Sequence, residues 1–171
     1  MKYYIIAGEA SGDLYGSRLI DEIKSIDREA NIRFWGGDKM ILSGGFNVKH
    51  IKELAFMGFY EVLKNIFTIR KNINFCKKDI CDFNPDKIIY IDYPGFNLLI
   101  SKWAKKKGFK NYYYISPQIW AWKENRIKTI KENIDKLYVI FPFEREYYSD
   151  RHNLKSEFYG HPLIELSLIH I

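Results

Sequence analysis

The stretch Tyr3-Tyr4-Ile5-Ile6-Ala7-Gly8-Glu9-Ala10-Ser11-Gly12-Asp13-Leu14 decides the fold. Its first five residues are an unbroken apolar run, the pattern of a strand buried on both faces. A glycine-bearing turn follows, and across residues 13–26 Leu14, Leu19, Ile20 and Ile23 recur at helical spacing. Strand, turn and helix in direct succession form the opening unit of an α/β sheet. The same alternation continues outward. Residues 32–35 and 47–51 read as strands on either side of a segment bearing Gly36, Gly37, Gly44 and Gly45. A long helical stretch spans 58–82, followed by a strand at 87–91, a helix at 98–107, a strand at 112–115, a helix at 126–134 and a strand at 137–141. The expected fold class is α/β, a parallel sheet with helices on both faces.

In such sheets ligands bind beyond the carboxyl ends of the strands, which singles out the loops 8–13, 92–97 and 116–123. The first places backbone N–H groups at a helix start, where an anion or sugar hydroxyl can accept from them. It is neither a Walker loop nor a dinucleotide fingerprint, because Gly8, Gly12 and Gly16 have the wrong pattern and no Lys-Ser/Thr follows. Ser11 or Asp13 as a simple helix cap is the competing reading. In Ile91-Asp92-Tyr93-Pro94-Gly95-Phe96-Asn97 a carboxylate stands just past an apolar strand, so Asp92 is the candidate general base. Its alternative is to cap the following helix, which Asn97 would do equally well. Ser116-Pro117-Gln118-Ile119-Trp120-Ala121-Trp122-Lys123 puts two large rings at a strand end, where they either wall a sugar site or pack under a loop. Phe141-Pro142-Phe143-Glu144 and Gly160-His161-Pro162-Leu163 also follow strands, and His161 taken alone reads as structural.

The 171 residues suffice for one domain with a real core, and a hydrophobic fraction of 47% can fill it. A formal charge of +6 suits phosphate groups or an anionic membrane surface. Cys76 and Cys81 have neither zinc-site spacing nor the number for a disulfide framework, so both are expected as reduced thiols. The amino-terminal apolar run is too short for a signal peptide, and no stretch approaches the roughly 20 apolar residues of a spanning helix. A cytoplasmic location with only peripheral membrane contact is expected.

Taken together, the five segments from Gly8 to Leu163 resemble the lipid-A-disaccharide synthase family in order and spacing. The resemblance implies a GT-B glycosyltransferase of two Rossmann-like domains with the active site between them. It assigns residues 1–165 to the amino-terminal, acceptor-side domain. It further implies inverting transfer of 2,3-diacylglucosamine from UDP-2,3-diacylglucosamine to 2,3-diacylglucosamine 1-phosphate at the cytoplasmic face of a Gram-negative inner membrane. No metal and no organic cofactor are expected. Asp92 matches the family's candidate base, and Glu9, Ser11, Gly12, Asn97, Gln118 and Trp120 are expected around the acceptor sugar.

The UDP-binding domain is expected after Gly160-His161-Pro162, so these residues alone are expected to be inactive. Residues 166–171 resemble no family segment and read as a non-native tail of the kind a sequencing adapter encodes. Phe59, Tyr60, Val62, Leu63, Ile66, Phe67 and Ile69 form an apolar stripe bordered by Lys64, Arg70 and Lys71. They are expected to contact acyl chains and membrane, with ordinary core as the alternative. Another UDP-sugar enzyme of the same architecture, such as a UDP-N-acetylglucosamine epimerase, lacks a reason for that stripe. A nucleic-acid partner is not expected, since Lys102, Lys105, Lys106, Lys107 and Lys110 read as the solvated end of a helix.

Overall fold

The computed structural model describes residues 1–54, 66–121 and 123–162, with the side chain of Ile66 left out. Strand β1 (Lys2–Ala7) leads into α1 (Ala10–Ile26), β2 (Asn31–Gly36) into α2 (Asp38–Ser43), and β3 (Phe46–His50) into a 3-10 turn at Ile51–Glu53. Beyond residue 65 come α3 (Ile66–Phe83), β4 (Lys87–Ile91), α4 (Pro94–Lys106) and β5 (Asn111–Ile115). A 3-10 turn at Glu124–Arg126, α5 (Ile127–Asn133), β6 (Lys136–Val139), α6 (Pro142–Glu146), a π turn at Tyr147–Arg151 and β7 (Glu157–Phe158) complete the order.

The strands lie in the order β3-β2-β1-β4-β5-β6-β7, and every pairing is parallel. From β1 the chain builds outward through β2 and β3, then returns to the other flank of β1 to lay down β4 to β7. The reversal leaves a crevice outside the carboxyl ends of β1 and β4, where loops diverge to opposite faces.

Alternation along the strands divides the core in two. Tyr4 and Ile6 of β1, with Trp35, Ile88, Tyr90, Tyr113 and Leu137, pack beneath Cys76, Ile80, Phe96, Ile100, Ala104 and Ile130 of α3, α4 and α5. Tyr3, Ile5 and Ala7, with Phe34, Ile89, Ile91 and Ile115, pack against Ile20 of α1 and Met40 of α2. Several buried polar groups are paired across the elements. The Trp35 indole donates to the Tyr4 hydroxyl at 2.9 Å, and the Asn111 amide donates to the Ser101 and Asn133 carbonyls at 2.9 Å each.

Two boundaries differ from the sequence reading for a local reason. Helix α1 begins at Ala10 because Glu9, in extended backbone, already serves as its N-cap. Helix α4 begins at Pro94, whose fixed φ suits the first turn. Cys76 is buried, Cys81 is exposed, and both are free thiols.

Candidate active site

At the crevice, Gly8 and Glu9 follow β1, and the first N–H groups of α1 have no side-chain cap. Neither Ser11 nor Asp13 caps this helix. The Asp13 carboxylate instead accepts from the backbone N–H groups of Gly37 at 2.7 Å, Lys39 at 3.1 Å and Met40 at 3.0 Å, fastening the start of α2. Gly12 is buried, and a Cβ there would press on Ala7 at 3.1 Å and Ile91 at 3.6 Å. It therefore brings α1 close to the sheet and does not line the crevice.

Asp92 and Tyr93 follow β4 with φ of 42° and 51°, two successive non-glycine residues in the left-handed region. Several contacts hold them there. The Tyr113 hydroxyl and the Asn97 amide donate to the Asp92 carbonyl at 2.6 and 2.7 Å, and the Tyr93 ring lies against Gly8, where any Cβ would collide with it. Asn97 itself is fully buried, its amide also reaching the Ile6 and Ile91 carbonyls at 3.4 Å. It neither caps α4 nor touches the crevice; it ties the ends of β1 and β4 together.

Glu9, Ser11, Tyr15, Asp92, Pro94, Gln118 and Arg126 line a cleft of about 370 Å³, with Ile115, Ser116, Pro117, Ile119 and Ile140 as its remaining wall. The Ser116-Pro117 turn is fixed from beneath by the Tyr148 hydroxyl, 2.6 Å from the Ser116 hydroxyl and donating to the Pro117 carbonyl at 3.1 Å. Of the residues expected around the acceptor, Glu9, Ser11, Gln118 and Asp92 thus meet, while Gly12 and Asn97 lie behind the wall. Trp120 also lies off the cleft. It is 39% exposed, its indole donates to the buried Glu144 carboxylate at 2.9 Å, and its ring stands edge-on to Phe143. Trp122 lies outside the described residues.

Burial raises the Asp92 pKa above the ordinary carboxylate value, the negative charge of Glu9 raises it further, and Arg126 opposes them. Tyr15 is raised by burial and by the charge of Asp92. Tyr15 and Arg126 were absent from the sequence reading. Tyr15 follows Ser11 by one helical turn and shares its face, a signal that was available. Arg126 reaches the cleft through an irregular turn that no periodicity announces.

Across Ile140 a second cavity of about 740 Å³ is lined by Arg18, Glu22, Tyr114, Tyr138, Tyr159 and His161, with His161 packed on Phe141. Among the described residues no cluster of His, Cys, Asp or Glu is placed to hold a metal ion, and no helix is long and apolar enough to cross a membrane. Of the expected acyl-contact stripe, Phe59, Tyr60, Val62, Leu63 and the Ile66 side chain lie outside the described residues. Phe67 is 82% exposed beside Arg70, Lys71, Phe75 and Lys78, and Ile69 is half-buried. Lys102, Lys105, Lys106, Lys107 and Lys110 are exposed at the far end of α4, away from the cleft, with Lys105 paired to Asp135.

A sequence model described as lipid-A-disaccharide synthetase matches residues 3–169. The chain belongs to the lipid-A-disaccharide synthase family. Named members of that family include one from Trichlorobacter lovleyi, 42% identical over 95% of this chain, and one from Coxiella burnetii, 42% identical over 93%. The Francisella tularensis member is 39% identical and covers the whole chain. The chain spans 42% of the length of the first two and 45% of the third. Among solved structures, a UDP-GlcNAc 2-epimerase from Neisseria meningitidis bound to UDP-GlcNAc matches with a TM-score of 0.64 at 12% identity, covering 99% of this chain and 49% of its own. At that identity the likeness is one of fold.

Proposed function

We propose that this chain is the acceptor-side half of a lipid A-building glycosyltransferase. It would take 2,3-diacylglucosamine from UDP-2,3-diacylglucosamine and join it through a β-1,6 link, with inversion, to 2,3-diacylglucosamine 1-phosphate. The observation that carries this reading is Asp92, a half-buried carboxylate of raised pKa at the sheet's switch point, sharing one cleft with Glu9, Ser11 and Gln118 in a chain of this family.

The chemistry follows from the donors and acceptors present. A sugar hydroxyl is a poor nucleophile at neutral pH, so a nearby carboxylate must take its proton as the new bond forms. The acceptor 6-oxygen bonds to the donor's anomeric carbon, the bond from that carbon to the UDP oxygen breaks, and the proton passes to Asp92. A raised pKa makes Asp92 a stronger base for this step. Ser11 and Gln118 supply hydrogen bonds to the acceptor's hydroxyls, Glu9 orients it, and Arg126 balances two carboxylates in one small cleft. The UDP moiety is assigned to a second domain, in keeping with the fraction of the relatives' length that this chain matches. No metal or organic cofactor is assigned.

The exposed Phe67 among Arg70, Lys71 and Lys78 supports peripheral attachment to the cytoplasmic face of the inner membrane, with residues 59–69 reaching the acyl chains. Changing Tyr60, Leu63 and Phe67 together to Ser is expected to abolish cosedimentation with anionic liposomes while the fold persists. Unfolding without selective loss of liposome binding refutes that assignment.

The catalytic reading is tested in the full-length protein. Asp92→Asn is expected to lower turnover by about 10²–10⁴-fold with acceptor binding intact. Retained turnover in Asp92→Asn, with loss in Glu9→Gln, moves the base to Glu9.

A further inference from the structure

Resting on Asp92 as the base, we infer that the Tyr113 hydroxyl and the Asn97 amide form a clamp on the Asp92 carbonyl, and that both are positioning residues for catalysis. Asp92 and Tyr93 occupy a backbone region that side-chain-bearing residues avoid, and such a pair persists only where surrounding contacts over-determine it. Here the contacts converge from β5 and α4. The Asp92 N–H donates to the Ile115 carbonyl at 3.3 Å, at the end of β5. Its carbonyl receives the Tyr113 hydroxyl at 2.6 Å and the Asn97 amide at 2.7 Å. The same amide spans the Ile6 carbonyl of β1 and the Ile91 carbonyl that ends β4.

Tyr113 and Asn97 have no exposed surface, so neither touches a substrate. Their action reaches the cleft only through the backbone of Asp92. Phenylalanine at 113 would keep the ring packed against Tyr90 and remove only the hydroxyl's bond. Releasing the carbonyl lets residues 92 and 93 relax toward ordinary backbone, which swings the carboxylate off its line to the acceptor and opens it to water. The charged and titratable groups around Asp92 are Glu9 from the β1–α1 loop, Tyr15 from α1, Arg126 from the 3-10 turn, and Tyr113 itself from β5. Asn97→Ser leaves all four in place and Tyr113→Phe removes only a phenol that is neutral at working pH, so a shift in the titration of Asp92 shared by both variants reports its position.

The test pairs kinetics with titration. In the full-length protein Tyr113→Phe is expected to lower kcat about 10-fold, the order of one lost hydrogen bond, with KM for the acceptor changed by less than about 2-fold. The acid limb of its kcat profile should move to lower pH, because a better hydrated carboxyl ionises more easily. Carbon-13 NMR of the Asp92 carboxyl in this chain, wild type against Tyr113→Phe, should show the same downward shift with no need for activity. Asn97→Ser, too short to reach the carbonyl, gives a second variant with the same expected signs. Unchanged kcat together with an unchanged Asp92 titration overturns the clamp. Full turnover in Asp92→Asn removes Asp92 as the base, and the NMR titration then still decides whether the clamp holds it.

Discussion

Replacing Asp13 by Ala should destabilise the domain severely, and the loss can be worked from its contacts. One carboxylate oxygen accepts from the N–H groups of Gly37 at 2.7 Å and Met40 at 3.0 Å, and the other from Lys39 at 3.1 Å. Gly37 and Met40 are buried, whereas Lys39 is exposed. In the Ala variant water replaces the bond to Lys39, but two buried donors lose their acceptor, each costing about 1–3 kcal/mol. The expected total is about 3 kcal/mol, which lowers Tm by roughly 6–12 °C in a chain of this size. Asp13→Asn separates the two oxygens. Its carbonyl can keep Gly37 and Met40 while its amide turns toward the exposed Lys39, so the loss should be nearer 1 kcal/mol, the order of one exposed helix-cap bond. Thermal and urea unfolding followed by circular dichroism would measure both. A cost below about 1 kcal/mol for Ala, or an Asn variant as damaged as Ala, refutes the assignment of Asp13 as the anchor of α2.

Three further outcomes are expected. Because burial and Glu9 hold the Asp92 pKa above 3.8, the folded state keeps a proton that the unfolded chain has lost, so stability falls as pH rises through that window. Asp92→Asn should therefore raise Tm at pH 7 and leave it unchanged at pH 3, and a lower Tm at pH 7 would contradict the buried charge. Gly8→Ala drives a methyl into the Tyr93 ring and should cost about 1–3 kcal/mol by denaturant melt, with an unchanged midpoint as the refuting result. Iodide should quench Trp120 but not the fully buried Trp35, so Trp120→Phe should shrink the quenchable fraction of the fluorescence. An identical quenchable fraction in that variant would mean that Trp120 is shielded.

The sheet was legible because each strand carries its own signal. The apolar runs at β1 and β4 mark strands buried on both faces, and the residue after each run lands in the crevice by topology alone. Asp92 follows from that rule, whereas Glu9, two residues past β1, came from the family resemblance. Gly12 and Asn97 were misplaced for a shared reason: a small or polar residue in a ligand loop looks the same whether it faces the ligand or braces the loop from behind. Only the packing of Ala7 and Ile91 against Gly12, and the carbonyls around Asn97, separate the cases. Helices α2 and α6 went unread because five or six residues are too few to display a helical period. Tertiary bonds define them, from Asp13 to the start of α2 and from Glu144 to the Ile140 and Phe141 N–H groups ahead of α6.

The seam between β1 and β4 also sets a timetable. The Lys2 N–H meets the Asp86 carboxylate across 84 residues of chain, so pairing these strands closes a long loop before any contact rewards it. β1, β2 and β3 lie close together in sequence and can associate as soon as they are made, whereas Asp92 joins Glu9 only after β4 has docked at the centre. During synthesis the first half of the sheet therefore waits with one flank of β1 unpaired, an open edge able to accept the wrong strand. The two carboxylates of the cleft come together only when that edge is sealed, so a half-made chain has no cleft.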